Sequence, residues 1–351
     1  MKARPRCNLK DVGCRAGVTA ATASLALRGD PRIPPVTRKK VQQAAKALGY
    51  LPDPVLSALI ARRDEGRVRR VYANLAALVD ERWFAEGGKP RWMEICLGAM
   101  ERTCTQLGYH LEVISIQRDL SPSSHPDRIL QARGIRGVAL LAPIDDDLEI
   151  RIDWERYAAV TFGNPLLGRR LNRVGTDAYA AMQMVCEKVG EREYRRIGWV
   201  NQHGAERRHR FGWLGALGAE HLRAESKLQV LRPYLPQVAE RESFLRWVEK
   251  QRPDCVLTSL PHVYDWLIAA GYRIPKDLGF VLLSRRTGEY PHITGTSSHL
   301  EVAGAALIEQ LHAQLLRGEI GFPEVSKEIL IYPRWVEGRT LRAAKSARGR
   351  S

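Results

Sequence analysis

Residues 9–28, LKDVGCRAGVTAATASLALR, constrain the fold of the N-terminal region more than any other stretch. They read as a short helix, a tight turn at Gly17 and a second helix that opens on small and hydroxyl residues. A small residue at Gly13 permits close approach of the two helices, and Gly17 supplies the backbone freedom of the turn. Thr19 is placed to cap the second helix by accepting from its orphan N–H groups. Val12, Ala16, Val18, Ala23 and Leu27 supply the expected apolar face. A helix–turn–helix of this kind has the shape that lays its second helix in the DNA major groove.

The next stretch, PPVTRKKVQQAAKALGYLPDPVLSALIARR, extends the module. A third helix is expected from Pro35 to Leu48, with Val41, Ala44, Ala45 and Leu48 on one face at helical spacing. Gly49 and Tyr50 end it, and Pro52 and Pro54 stiffen the exit. A short segment of high helix propensity, VLSALIARR, then ends in two basic residues. In this order, these features resemble the headpiece of the LacI family of transcriptional regulators, and the resemblance continues to the C-terminus. It implies a hinge helix that folds on DNA and wedges Leu59 into the minor groove. Arg62 and Arg63 would then lie near the groove rim or the backbone. It also implies a homodimer whose axis matches a palindromic double-stranded operator.

Charge points the same way. The formal net charge is +16; residues 1–70 carry 16 Lys and Arg against 5 Asp and Glu, whereas residues 71–351 carry 39 against 34. A polyanion-binding module joined to a nearly balanced domain has this asymmetry. Six cysteines, at 7, 14, 96, 104, 186 and 255, form no C-x-x-C pair and are joined by no His cluster. That argues against a metal site or a disulfide framework, and no cofactor is expected. The start has no apolar leader, and no run of about 18 apolar residues occurs. A cytoplasmic, nucleoid-associated bacterial protein with no membrane partner is expected.

From Val71 onward the pattern alternates. Candidate strands are 72–80, 109–116, 137–143, 157–163, 196–201, 255–259 and 279–284, with helices at 92–108, 177–191 and 243–251 among them. Such alternation argues for parallel, doubly wound sheets. Runs such as VALLA fit strands buried on both faces. YRRIGWV, RPDCVLTS, HITGTSSHLEVAGAALIEQL and ILIYPRWVEGRTL resemble the second lobe, the crossover and the closing strands of the same family. The fold class implied is an all-α helix-turn-helix headpiece followed by a two-lobed α/β domain similar to periplasmic binding proteins. Ligands of such folds sit beyond the carboxyl ends of the strands. The expected organisation is a headpiece at 1–51, a hinge helix and linker at 52–70, and an effector-binding and dimerisation domain at 71–351. Lobe 1 would take 71–164 and 293–325, and lobe 2 would take 165–292 and 326–342.

The family's base-facing positions fall on Ala20, Ala21 and Leu25, which can meet a thymine methyl group or simply permit close approach. Thr22 and Ser24, with Thr19 at the cap, match phosphate-binding hydroxyl positions. Arg28 and Arg32 are candidates for a phosphate or a base edge, and Thr37 for a phosphate at the start of the third helix. In the cleft the chain departs from the family. His209 stands where an Arg is usual, flanked by Arg208 and Arg210. Pro261 or His262, and Arg285 with Arg286, stand where carboxylates usually grip sugar hydroxyls. Asp177 matches a common acidic position, with helix capping as its other reading. Trp83, Phe84 and Trp92 suit stacking on a sugar ring, with core or dimer packing as their other reading.

Two readings of the cleft stay open. It binds a small-molecule effector, a sugar or an acidic sugar derivative, or its ligand response is lost and the chain is a constitutive DNA-binding dimer. An enzyme is not expected: the chain has no nucleophile elbow, Walker loop, G-x-G-x-x-G after a strand or metal motif.

Overall fold

The computed structural model describes residues 9–27, 33–48, 73–84, 90–121, 125–142, 150–163, 169–285 and 290–344. The chain forms two compact units, Met1–Val68 and Arg69–Ser351.

The first unit holds α1 (Leu9–Ala16), α2 (Ala20–Leu27) and α3 (Pro35–Ala47). Its core is built from Val12, Ala23, Ala26, Val41, Ala44 and Ala45, with Leu9, Ala16, Val18, Leu27, Ile33 and Leu48 packed around them. Every residue expected on the apolar faces is here. Ala26, Leu9 and Ile33 join them. The expected hinge at 52–70 lies outside the described residues.

The second unit contains two six-stranded sheets. The first joins β1 (Ala73–Val79), β2 (Tyr109–Ser115), β3 (Ile135–Leu140), β4 (Ala158–Phe162), β5 (Asn172–Thr176) and β11 (Glu328–Ile331) in the order β11-β5-β4-β3-β1-β2. All its pairings are parallel. The second joins β6 (Arg196–Val200), β7 (Gln229–Val230), β8 (Cys255–Thr258), β9 (Gly279–Arg285), β10 (Gly295–Ser297) and β12 (Arg334–Val336) in the order β12-β10-β9-β8-β6-β7. It is parallel except where β12 runs against β10.

Side chains alternate across each strand, so both faces need a cover. In β1, Leu75, Ala77 and Val79 face one core while Ala76 and Leu78 face another. The first core is closed by α4 (Arg91–Leu107) and α12 (Leu300–Arg317), through Cys96, Met100, Leu307 and Leu311. These two helices touch closely: a Cβ on Gly304 would press on the Cys96 carbonyl and lie 2.9 Å from the Ala99 Cβ. The opposite face is closed by α6 (Pro126–Ala132), through Leu130, and by Ile116 of the short α5 (Ile116–Asp119) and Trp154. In the second lobe, α7 (Ala178–Glu191) and α9 (Gly212–Leu222) cover one face, through Met182, Val185, Trp213 and Leu217. The other face is covered by α10 (Arg241–Gln251) and α11 (His262–Ala269), through Phe244, Val248, Val263 and Leu267.

The seven expected strands and three expected helices all form, with ends displaced by a few residues. The lobe boundaries differ from expectation. Residues 172–176 and 328–331 pair into the first sheet, beyond the limits expected near 165 and 325. Residues 295–297 pair into the second, beyond 293. The three crossings therefore fall near 177, 299 and 332. The reason is local: NRVGT has too little apolar continuity to read as a strand, and GTS is three residues long.

Candidate functional site

In the N-terminal unit, Thr19 caps α2: its Oγ1 accepts from the Thr22 N–H at 3.1 Å and lies 2.9 Å from the Thr22 hydroxyl. Gly17 has φ +69, the left-handed conformation that glycine adopts without penalty. A Cβ on Gly13 would lie 2.8 Å from the Val18 carbonyl oxygen, so α1 and the turn approach as closely as the sequence required. Val18 N–H donates to the Gly13 carbonyl at 2.9 Å and fixes the turn.

Burying Ala23 and Ala26 turns the other side of α2 outward. Thr19, Ala20 and Ala21 are exposed, and Thr22, Ser24 and Leu25 are half-buried. The outward surface of α2 thus consists of methyl groups and hydroxyls, with no amide or guanidinium to make a bidentate base contact. Exposed Lys10 and Arg15 on α1 and Lys39 and Lys40 on α3 add positive charge to the unit, and Thr37 is half-buried. Arg28, Arg32, Leu59, Arg62 and Arg63 lie outside the described residues.

In the two-lobed unit, the carboxyl ends of the parallel strands bring the other expected residues into view. After β1, the buried Asp80 takes Arg82 at 2.7 Å and the Gln117 amide at 2.7 Å. That anchors a 3-10 turn, Glu81–Phe84, carrying Trp83. The Trp83 indole N–H donates to the Ala142 carbonyl at 2.8 Å. Trp83 meets Trp92 edge-on at 5.5 Å, and Trp92 stacks on Phe162 at 6.1 Å. Phe84, like Trp83 and Trp92, is half-buried and packs on the first core.

The expected basic cluster divides three ways. Arg208 ends α8 (His203–Arg208) of the second lobe, and its guanidinium carbon lies 5.2 Å from the Trp83 ring of the first. His209 instead turns into the second lobe, with its ring 4.0 Å from Trp213 and Nδ1 2.9 Å from the Ala205 carbonyl. Desolvation there pushes its pKa down to about 4, so it is neutral at physiological pH. Arg210 pairs with Glu328 of β11, which also accepts from Arg173 at 2.8 Å. Arg285 is half-buried, and desolvation holds its pKa below the usual arginine range. Arg286 lies outside the described residues.

Asp177 accepts the Ala180 N–H at 2.9 Å, which is the capping alternative. His262, at a position where an acid was expected, packs 4.6 Å from Trp266. Glu206, Glu328 and Phe162 were not singled out from sequence. Glu206, on the buried side of α8, accepts the Trp199 indole N–H at 2.6 Å and is pushed up in pKa by desolvation. Among the described residues no group of His, Cys, Asp and Glu could hold a metal ion. No described helix is long and apolar enough to cross a membrane.

The profile of bacterial regulatory proteins of the lacI family matches residues 8–53, which span α1 to α3 and the residues just after. Over these residues the chain is similar to that family. A curated relative is the HTH-type transcriptional regulator CelR of Thermobifida fusca, 27% identical over 203 residues. The match spans 57% of this chain and 57% of that relative's length. A CelR–cellobiose complex superposes with TM-score 0.58 at 20% identity, covering 95% of this chain and all of that one. The lac repressor dimer bound to operator and the anti-inducer ONPF superposes with TM-score 0.61 at 17% identity, covering 96% and 100%. At such identities the likeness is one of fold: N-terminal helices, then two α/β lobes.

Proposed function

We propose that this chain is a homodimeric, sequence-specific DNA-binding transcriptional regulator, acting as a repressor, whose two-lobed unit takes a small-molecule effector. The observation that carries the reading is the capped, glycine-tightened helix–turn–helix inside the residues that match the lacI family. In this reading Thr19, Thr22, Ser24 and Thr37 hold phosphates, while Ala20, Ala21 and Leu25 meet thymine methyl groups. Arg28 and Arg32 add contacts beyond α2, and Leu59, with Arg62 and Arg63, opens the minor groove at the centre of a palindrome.

The effector proposed is an anionic sugar derivative. Arg208 ends α8 and Arg285 ends β9, and both supply positive charge for it, although each also has contacts within the protein. A ligand that closes or opens the lobes shifts DNA affinity only if it binds the two states unequally. A second reading, a DNA-binding dimer without ligand response, is favoured by the engagement of Arg208 on Trp83 and Arg210 on Glu328.

Selection of binding sites from random duplexes by the full-length chain tests the DNA reading. A palindromic consensus, with affinity that falls steeply with salt as counterions are released, is expected. Affinity unchanged between low and physiological salt would refute it, and full specific binding by Leu59→Ala would refute the minor-groove role of Leu59. A thermal shift against neutral sugars, sugar acids and sugar phosphates separates the two cleft readings. A ligand at about 100 times its Kd adds about 2.7 kcal/mol of stability.

A further inference from the structure

Two of the residues that sequence analysis assigned to ligand contact, Arg208 and Arg210, are engaged by groups of the other lobe. We propose that Arg208 and Arg210 form a built-in latch that holds the two lobes together without a bound small molecule, Arg208 on the face of Trp83 and Arg210 on Glu328. The latch goes beyond the regulatory reading, and only its consequence for ligand entry rests on that reading.

The first contact is a cation over an indole face at 5.2 Å. Trp83 is a fixed target. Its N–H is tied to the Ala142 carbonyl at 2.8 Å, its flank meets Trp92 at 5.5 Å, and its turn is held by Arg82 on Asp80. The second contact leaves the same loop two residues later. Arg210 and Phe211 both have φ +55, a left-handed pair that non-glycine residues adopt only against a steric cost. The turn is secured by Phe211 N–H donating to the Glu206 carbonyl at 2.8 Å and Gly212 N–H to the His209 carbonyl at 3.0 Å. It sets Arg210 against one oxygen of Glu328, while Arg173 donates to the other at 2.8 Å. Hydrogen bonding from Arg173, helped by the charge of Arg210, holds the Glu328 carboxyl below the usual range and so keeps it ionised.

One loop of the second lobe therefore grips two separate elements of the first, the exit of β1 and the edge strand β11. Two points of attachment beside three crossover segments resist opening better than either alone. Arg208 also lies on the ring face that a stacking ligand would use. A neutral sugar has to displace it, whereas an anion can keep it in place as a counter-ion.

Hydrogen exchange measured by mass spectrometry on the full-length chain without ligand tests the latch. The double variant Arg208→Gln, Arg210→Gln is compared with the wild type and with Arg208→Lys, Arg210→Lys. The Gln variant should exchange roughly threefold to tenfold faster at 80–84, 203–212 and 328–332, the combined effect of a half-buried cation–π contact and a partly exposed ion pair. Peptides of α4 and β8 should stay unchanged, and the Lys variant should recover most of the protection. Unchanged exchange at the three segments would overturn the latch.

If exchange rises everywhere because the double variant is misfolded, the single variants Arg208→Gln and Glu328→Gln decide. Faster exchange at 80–84 in the first and at 203–212 in the second supports the latch, and wild-type rates in both reject it. Unchanged exchange in a chain that binds DNA rejects the latch alone. Faster exchange in a chain that binds no DNA rejects the regulatory reading alone.

Discussion

His209 makes the stability of the two-lobed unit fall with acid, by an amount that follows from its surroundings. Desolvation against Trp213 lowers its pKa from 6.5 to about 4, with the Ala205 carbonyl opposing and the charges of Arg208 and Arg173 adding to the shift. The folded pKa lies below the unfolded one, so between these values the unfolded chain binds the proton and the native chain does not. Stability is therefore whole above about pH 7, falls through 6.5, and reaches its full loss below about pH 4. With about 1.4 kcal/mol per pKa unit, the loss from this residue is roughly 2 kcal/mol at pH 5 and roughly 3 kcal/mol at pH 4. His209→Phe keeps an aromatic ring beside Trp213 but cannot take a proton. It forfeits the bond to Ala205, a pH-independent cost of about 1 kcal/mol. Urea unfolding followed by tryptophan fluorescence isolates the effect, because all eight tryptophans lie between 83 and 335. At fixed protein concentration, wild-type stability should drop by about 2 kcal/mol more than that of the variant between pH 7 and pH 5. Parallel pH profiles would refute the reasoning, since His209 would then titrate as it does in water.

Gly13→Val drives a side chain into the Val18 carbonyl, 2.8 Å from the position of its Cβ. It should cost the N-terminal unit about 1–3 kcal/mol and abolish DNA binding, while tryptophan-monitored unfolding stays unchanged. Thr19→Ala removes the cap on the Thr22 N–H and should cost the same unit about 1 kcal/mol, read by thermal circular dichroism of residues 1–51. Gly304→Val forces α12 away from the Cys96 carbonyl and should lower the stability of the two-lobed unit by about 1–3 kcal/mol, visible as an earlier urea midpoint.

The helix–turn–helix was legible because its determinants are close in sequence. Gly13, Gly17 and Thr19 act on partners within a few residues, and each residue type has one conformational use at its position. The strands of the two sheets were legible where continuous apolar runs cross a doubly covered layer, as in β1, β3 and β9. The short pieces 172–176 and 295–297 were not, and the lobe boundaries moved with them.

The cleft shows the other side of that division. From sequence, Arg208, His209 and Arg210 form one basic cluster. In the fold, the three adjacent residues go to an indole of the first lobe, an indole of the second lobe and a carboxylate 118 positions away. The left-handed turn at Arg210 and Phe211 that separates them carries no glycine to announce it. Sequence by itself determined the two units, the helix–turn–helix with its cap and close contact, and the alternation that builds parallel sheets, because these rest on propensity and periodicity over short spans. Tertiary structure decided which charges are engaged, which histidine packs against an indole and where the chain crosses between lobes. Those outcomes depend on which surfaces meet after distant segments have packed, and the desolvation and pairing energies that govern them exist only once they have met.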